Sequence, residues 1–167
     1  MIIGNGNIAK SLKDRDDLVF FASGVSDSSC INNVEFEREV NLLKSLNYDV
    51  HLVYFSNLKI YYSKDPYTNH KVMMEDLVKS LFRSYTIVRI EVCAWVNNPT
   101  TILNVFKNKI IKGEEIIIHD TTRYVLQKKE FLFWLERIPV GKKNEMNILG
   151  EKLHISEIID RIKKGYL

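Results

Sequence analysis

The 167-residue sequence is poor in proline and cysteine and contains no long apolar run. Three prolines and a charged fraction of 27% argue against a disordered or low-complexity chain. No apolar stretch reaches the roughly 18–20 residues that a membrane-spanning helix needs. The first ten residues have no basic region ahead of a long apolar stretch. We therefore expect no membrane partner, no signal peptide and a cytoplasmic location.

Charge and metal-binding residue types exclude two further classes of function. The net charge is +3, and residues 107–167 carry a modest surplus of 13 basic over 9 acidic side chains. Without a basic stripe or a matching motif we expect no nucleic-acid partner; the surplus could equally serve a phosphorylated small molecule. Cys30 and Cys93 are far apart, and His119 and His154 stand alone, so we expect no metal site.

Strands and helices are predicted to alternate over residues 1–92. The apolar run at residues 18–23 (LVFFAS) is typical of a strand that is buried on both faces of a parallel sheet. Alternation of this kind predicts an α/β fold with a Rossmann-like parallel sheet and helices on both faces. The predicted strands are 1–4, 18–23, 50–55 and 85–92, and the predicted helices are 5–13, 34–46 (capped by Asn33) and 66–82.

The pattern changes after residue 92, where the elements become shorter. We predict helices at 101–112, 128–138 and 155–164 (capped by Ser156), and strands at 114–118 and 146–149. No linker rich in glycine and serine separates the two halves. Any second lobe is therefore expected to share a core with the first.

The first feature with chemical content is the segment Gly4-Asn5-Gly6-Asn7-Ile8-Ala9. It has the form G-x-G-x-x-A between a predicted strand and a predicted helix, where glycines allow a tight turn and close approach to a pyrophosphate. The alternative is an ordinary strand-to-helix turn of an α/β protein. The aspartates that follow at 14, 16 and 17 lie in a short link with no strand before them, so we interpret them as solvated turn residues.

The second feature is the pair Tyr67 and Lys71, four residues apart on a predicted helix and so on one face of it. A lysine ammonium close to a phenol favours the phenolate and lowers the phenol pKa, which suits proton exchange with an alcohol or carbonyl during hydride transfer. The alternative is a surface pair beside a core face. We expect His70 to point away from Tyr67 into solvent, and His51 to be a satisfied core or edge histidine.

In order, these segments resemble an extended short-chain dehydrogenase/reductase of the nucleotide-sugar epimerase/dehydratase kind. The resemblance covers nearly the whole chain. IIGNGNIAKSL is similar to the first strand and phosphate loop, and LVFFASGVSDSS to the fourth strand and the loop beneath the cofactor. DPYTNHKVMMEDLV is similar to the tyrosine–lysine helix. The resemblance implies a shortened Rossmann-like cofactor domain over residues 1–96 and a substrate-lobe remnant over residues 97–167.

The resemblance also implies roles for individual residues. Tyr67 would transfer the proton and Lys71 would hold the nicotinamide ribose of NAD or NADP. Arg123 would meet the diphosphate of a nucleotide sugar, which fits a bidentate role. Asn97, Asn98 and Asn104 are weaker substrate candidates and are more often loop caps. The residues implied around the rest of the cofactor are Gly4, Asn5, Gly6, Asn7, Ile8 and Ala9 at the pyrophosphate, and Ala22 and Gly24 beneath the cofactor.

The sequence departs from the family pattern in two places. The catalytic Ser/Thr position falls on Asn57, whose amide donates a hydrogen bond but cannot share a proton as a hydroxyl does; a shift of the loop could bring in Ser56 or Ser63 instead. The second and third strands of the cofactor domain are missing, which predicts weak or lost binding of the adenine half of the cofactor.

Three functions stay open at this stage. The resemblance implies an NAD(P)-dependent nucleotide-sugar epimerase or reductase that acts in surface-polysaccharide synthesis. The first rival is a degenerate relative that binds a nucleotide sugar or a protein partner and does no chemistry. A weaker rival is an α/β module that binds another phosphate ligand through residues 4–9. We also expect a homodimer, through the apolar faces of the helices at 34–46 and 66–82 or through the strand edge at Ile2 and Ile3.

Overall fold

A computed structural model of the chain describes residues 1–118 and 120–167. His119, expected to be an isolated side chain, lies outside the described residues. The strands are β1 (Ile2–Ile3), β2 (Val19–Phe21), β3 (His51–Asn57), β4 (Ser84–Ile90), β5 (Val92–Cys93), β6 (Thr122–Leu126), β7 (Lys143–Asn147) and β8 (Glu151–His154). The helices are α1 (Asn33–Lys44), α2 (Pro66–Leu81), α3 (Ile102–Lys112), α4 (Lys128–Leu135) and α5 (Ile155–Lys163), with short 3-10 segments at Ala9–Ser11 and Leu58–Tyr61.

The main sheet has five parallel strands in the order β1-β2-β3-β4-β7. A smaller sheet has the order β5-β6-β8, in which β6 pairs in parallel with β5 and antiparallel with β8. Crossover helices between parallel strands cover both faces of the main sheet. The predicted α/β fold class is confirmed.

Each face of the main sheet has its own apolar core, because successive strand residues point to opposite faces. On β3, Leu52 and Tyr54 pack with residues of α1 and α2, whereas Val53 and Phe55 pack with residues of α4. A third core lies under the small sheet, where α3 and α5 pack together. Among the described residues, no helix is long and apolar enough to cross a membrane.

The helix predicted at residues 5–13 is wrong, because only Ala9–Ser11 form a single 3-10 turn. The Ser11 hydroxyl donates a hydrogen bond to the Asn7 carbonyl oxygen (2.7 Å), and Leu12 is already extended. Local bonds of this kind compete with a continuing helix. The helix N-terminus that was expected to face a phosphate is therefore missing.

Three smaller predictions are corrected as well. The cap of α1 is Asn32 rather than Asn33, and the cap of α5 is His154 rather than Ser156. Residues 114–118 form no strand, and the isoleucines at 117 and 118 are exposed. The partners in the small sheet are instead β6 and β8, neither of which the sequence pattern indicated, because their pairing joins segments about 30 residues apart.

Both halves of the chain contribute to both sheets. From the second half, β7 pairs with β4, and α4 packs beneath the main sheet. From the first half, β5 joins the small sheet. The division into residues 1–96 and 97–167 stays a proposal.

Candidate functional site

The glycine-rich loop lies directly against the segment that follows β2. Gly4 has φ +118°, and a Cβ there would collide with the Ala22 carbonyl oxygen, so the turn requires glycine. At Gly6, none of the described atoms lies within 4 Å of the position that a Cβ would take. The structure therefore brings Gly4 and Ala22 together and leaves the Gly6 backbone beside open space.

Gly24 continues this contact towards the tyrosine–lysine helix. A Cβ at Gly24 would lie 2.8 Å from Glu39 Oε1 and 2.9 Å from Lys71 Nζ. Residues predicted to surround one cofactor are thus contiguous, from Gly4 through Ala22 and Gly24 to Lys71. They meet near the carboxyl ends of parallel strands, where ligands of open α/β sheets bind.

Tyr67 and Lys71 lie on the same buried face of α2, which begins at an Asp65 cap with Pro66 in its first turn. Tyr67 is 4% exposed and Lys71 is 2% exposed. The Lys71 ammonium lies 5.8 Å from the centroid of the Tyr67 ring. It donates to Glu39 Oε1 (3.0 Å) and to Tyr54 Oη (3.1 Å). The ammonium proposed to hold a ribose is therefore already paired inside the protein.

Glu39, on α1, is the centre of this buried network and is fully inaccessible. Its carboxylate accepts hydrogen bonds from the Val25 amide (2.7 Å), Tyr54 Oη (2.8 Å) and His70 Nε2 (3.0 Å), besides that from Lys71. Burial by itself would raise the pKa of Glu39, but the charge of Lys71 and the donated hydrogen bonds outweigh it and lower the pKa to about 2. Glu39 is therefore a carboxylate at neutral pH.

The Tyr67 phenol does not have the lowered pKa that the lysine spacing suggests. Burial raises the pKa of Tyr67, the negative charge of Glu39 raises it further, and a hydrogen bond with Asn57 opposes both. Since Glu39 neutralises Lys71, the ammonium leaves little net positive charge to favour the phenolate. The role of Tyr67 in proton transfer stays a prediction, and the surroundings of the phenol raise its pKa and favour the protonated form.

Asn57 and Ser56 end β3 beside this cluster. Asn57 Oδ1 accepts a hydrogen bond from the Lys59 amide (2.8 Å) and caps the 3-10 segment that follows. Ser56 is buried, and within the described chain its hydroxyl has no hydrogen-bond partner. Of the two, Asn57 is the one that lowers the pKa of the Tyr67 phenol.

Arg123, on β6, is tied to the same region through two side chains. Its Nε lies 3.7 Å from Glu91 Oε1, which also accepts a hydrogen bond from Tyr62 Oη (2.6 Å). One Arg123 Nη donates to Thr121 Oγ1 and to the Thr122 carbonyl oxygen. The guanidinium is partly exposed, so its role towards a diphosphate stays a prediction.

The three asparagines proposed as substrate contacts lie together around one loop. Asn104 Nδ2 donates to the carbonyl oxygens of Val96 (3.0 Å) and Asn98 (2.8 Å). Asn98 Oδ1 accepts from the Thr100 amide and hydroxyl, whereas Asn97 is exposed. These contacts of Asn98 and Asn104 fit the alternative interpretation as loop caps.

Neither the role of Glu39 nor the buried position of His70 was predicted from the sequence. His70 is buried, bonded to Glu39 and stacked on Phe36, with the ring centroids 4.3 Å apart. The expectation that it faces solvent is wrong, because residues three apart on a helix share a face and Tyr67 is buried. Glu39 had a signal in the sequence: it lies between Phe36 and Leu43 at helical spacing, so a charge falls on the apolar face of α1.

His51 lies at the other end of β3 and belongs to the core. Its Nε2 lies 3.0 Å from Thr86 Oγ1, and its Nδ1 accepts from the Gly141 amide (3.0 Å). The interpretation as a satisfied core histidine is confirmed.

No family model and no curated protein matches the sequence. Solved structures do match. WbmH of Bordetella bronchiseptica in complex with NAD+ gives a TM-score of 0.66 at 16% identity, over 89% of this chain and 57% of that one. WbmG of the same organism with NAD and UDP gives 0.67 at 14%, over 90% and 56%. The dTDP-4-dehydrorhamnose reductase of Bacillus anthracis with NADP gives 0.62 at 14%, over 89% and 62%.

The chain has the fold of these enzymes in shortened form. This confirms, for the fold, the resemblance to the extended short-chain dehydrogenase/reductases that the sequence implied. The chain spans between 56% and 62% of those three structures. The NAD, NADP and UDP of those structures are ligands of those proteins.

The residues fit a nicotinamide dinucleotide in part. Gly6 borders open space, which favours binding, but the space beside Gly24 is already occupied by Glu39 and Lys71. The 3-10 turn at Ala9–Ser11 offers no helix N-terminus for a pyrophosphate, and the Lys71 ammonium is engaged by Glu39. Binding through this site would therefore be weak unless the Glu39–Lys71 pair opens.

Proposed function

We propose that the chain is an NAD(P)-dependent nucleotide-sugar epimerase or reductase, which acts in the cytoplasm on a sugar destined for a surface polysaccharide. One observation carries the proposal: the contacts from Gly4 through Ala22 and Gly24 lead to the cluster of Lys71 and Tyr67. The fold of the solved NAD- and NADP-bound enzymes supports it. Exchange of a hydride with a sugar carbon is the chemistry that a bound nicotinamide would supply.

The proposed work of the protein is to orient the sugar and to handle one proton. Tyr67 Oη would exchange a proton with the sugar oxygen, and the Asn57 amide beside it would donate a hydrogen bond to the same oxygen. Arg123 would pair with the diphosphate from the small sheet. The Lys71 ammonium would partly offset the negative charge of Glu39 close to the phenol.

The first test is cofactor binding. We expect NAD(H) or NADP(H) to bind weakly, because among the described residues no strand lies beyond β1 to hold the adenosine half. We expect Gly6→Val to abolish binding, because the valine would occupy the open space beside the loop. Titration calorimetry measures both, and mass analysis of nucleotide that co-purifies identifies the cofactor. Binding that is as tight as in full-length enzymes, or that is unaffected by Gly6→Val, would reject the proposed site.

The second test is turnover. Tyr67→Phe should abolish the conversion of a nucleotide sugar, and Asn57→Thr should raise it by restoring a hydroxyl that shares a proton. Product formation is measured by chromatography with dTDP- and UDP-linked sugars. Unchanged turnover in Tyr67→Phe would show that Tyr67 does not have the proposed role.

A second candidate function is a non-catalytic relative that binds a nucleotide sugar or a protein partner. The observation in its favour is that Lys71 is buried against Glu39, while among the described residues the expected phosphate-facing helix is a single 3-10 turn and β1 is the edge strand of the main sheet. This candidate predicts calorimetric binding of a nucleotide sugar with no turnover in any of the variants above. A measurable reaction that Tyr67→Phe removes would exclude it.

A further inference from the structure

The charged groups around the Tyr67 phenol come in compensating pairs. Lys71 Nζ lies 5.8 Å and Lys59 Nζ 5.9 Å from the centroid of the phenol ring. Lys71 pairs with Glu39 at 3.0 Å, and Lys59 pairs with Asp65 at 3.2 Å. Each cation close to the ring therefore has its own carboxylate.

The remaining neighbours add negative charge. Asp27, in the loop before α1, raises the pKa of Tyr67 after Glu39 and Asp65, and Tyr54 is a neutral phenol whose own pKa is raised by burial. The elements packed around Tyr67 thus present three carboxylates, from the 22–32 loop, α1 and the start of α2, against two ammonium groups. Among the three, Glu39 is the one that is fully buried and least screened by water.

We propose that Glu39 is a positioning residue that holds the Lys71 ammonium and keeps the Tyr67 phenol protonated, so that Tyr67 works as a proton donor rather than as a base. The proton leaves Tyr67 Oη for the oxygen of a sugar carbonyl that is being reduced, and solvent replaces it. The carbonyl carbon takes up a hydride, which carries both electrons of the reduction and would come from the reduced nicotinamide of the proposed function, on which this inference rests. The site therefore favours a sugar nucleotide with a carbonyl group as substrate over a hydroxyl sugar that must first be oxidised.

The geometry supports a positioning role over a purely structural one. Glu39 pairs with the Lys71 ammonium, which lies 5.8 Å from the centroid of the Tyr67 ring, and its negative charge raises the pKa of the phenol. Its carboxylate is fixed by donors from three elements, namely Val25 after β2, Tyr54 on β3 and His70 on α2. Because these hydrogen bonds fix its position, the Glu39 carboxylate stays close to Lys71 and has a constant effect on the pKa of the Tyr67 phenol.

The test is a site-specific titration that needs no turnover. A fluorinated tyrosine at position 67, whose lower pKa brings ionisation into the accessible pH range, is followed by fluorine NMR in the full chain. In Glu39→Gln the phenol should ionise about 1 pH unit or more lower than in the unaltered chain, because Lys71 is no longer neutralised. Glu39→Asp, which keeps the charge, should return the titration towards the unaltered value.

Glu39→Gln leaves a buried ammonium without its partner and can fail to fold, so the double variant Glu39→Gln/Lys71→Met is measured beside it. If Glu39 cancels Lys71, the double variant titrates as the unaltered chain does. An upward shift in the double variant, or an unchanged midpoint in folded Glu39→Gln, overturns the inference. These titrations do not depend on activity. An inactive chain would refute the proposed function, but the effect of Glu39 on the Tyr67 phenol would still be tested by the titration.

For an active chain, the direction of the reaction gives a further readout. Glu39→Gln should raise oxidation of a hydroxyl sugar nucleotide relative to reduction of the matching keto sugar, and it should shift the pH profile of oxidation to lower pH. Equal loss in both directions with an unchanged profile would mean that Glu39 only stabilises the fold, and would overturn the inference.

Discussion

At the scale of single residues, the Glu39 carboxylate changes the effect that Lys71 is expected to have on the pKa of Tyr67. The spacing of Tyr67 and Lys71 places both on one face of a helix, as the sequence predicts. In the structure, however, the Lys71 ammonium donates a hydrogen bond to the Glu39 carboxylate. The distance along the chain between Glu39 and Lys71 is 32 residues, so helix periodicity carries no information about this contact.

Glu39 should make the fold sensitive to acid. The pKa of its carboxyl group is about 2 in the folded chain, against an ordinary value of 4.5 for a glutamate in water. A lowered pKa stabilises the folded state fully above about pH 4.5, and that stabilisation disappears as the pH falls towards 2. The contribution is of the order of 3 kcal/mol, and urea unfolding at a series of pH values measures it.

Asp65 also has a lowered pKa of about 2, so the control for this prediction is Glu39→Gln in the same series. The variant should be less stable at pH 7 and should lose less stability between pH 5 and 3 than the unaltered chain. Parallel curves for the two proteins would contradict the prediction.

Two glycines of the first loop should respond differently to alanine. Gly4 has a positive φ, and its Cβ would collide with the Ala22 backbone, so Gly4→Ala should cost about 2 kcal/mol or more. Gly6 has no close neighbour among the described atoms, so Gly6→Ala should change stability by less than about 0.5 kcal/mol. Thermal unfolding of the two variants measures the difference, and equal effects would show that the loop has another conformation.

At the scale of elements, the helix ends show how closely a pattern can locate a boundary. The sequence has two adjacent asparagines, Asn32 and Asn33, at the start of α1, and the pattern predicted Asn33 as its cap. In the structure, Asn32 Oδ1 accepts a hydrogen bond from the Val34 amide (3.0 Å), and Asn33 is the first helical residue. Neighbouring polar residues cannot be ranked by propensity alone, because the backbone angles before the helix decide which side chain reaches the free amide.

The two asparagines therefore make a matched pair of variants. Asn32→Ala should destabilise the protein by about 1 kcal/mol, because an amide of the first turn loses its acceptor. Asn33→Ala lies inside the helix and should be close to neutral or slightly stabilising. Chemical denaturation distinguishes them, and the reverse order of effects would place the cap at Asn33.

At the scale of the whole molecule, β1 lies at the edge of the main sheet, with β2 as its strand neighbour within the described chain. The Met1 ammonium donates to the carbonyl oxygens of Arg15 and Leu18, which ties the start of the chain to the link after the glycine loop. A second candidate surface is on α2, where the side chains of Val72 and Met73 are 41% and 43% exposed. Both surfaces are candidates for contact with a second copy.

We predict a homodimer through α1 and α2, because apolar side chains on adjacent helices are costly to leave in water. Light scattering should give twice the 19.6 kDa of the chain at micromolar concentration, and the double substitution Val72→Lys with Met73→Lys should give the monomer mass. Ile2→Lys is the control for the strand edge. A dimer that survives the helix substitutions and is broken by Ile2→Lys moves the contact to β1, and a monomer mass for the unaltered chain refutes the dimer.

The sequence by itself determined the parallel sheet, the order of its first four strands along the chain and the helix that carries Tyr67 and Lys71. Apolar runs and helical spacing are local patterns, so they can be recognised in the sequence before the fold is known. Tertiary structure decided what local patterns cannot express. The segment expected to form the first helix is reduced to one 3-10 turn before the short link to β2. The strands β6 and β8 pair although they are separated along the chain. Glu39 of α1 pairs with Lys71 of α2. The charge state of the phenol depends on that last contact, because it is set by groups brought together from separate parts of the chain.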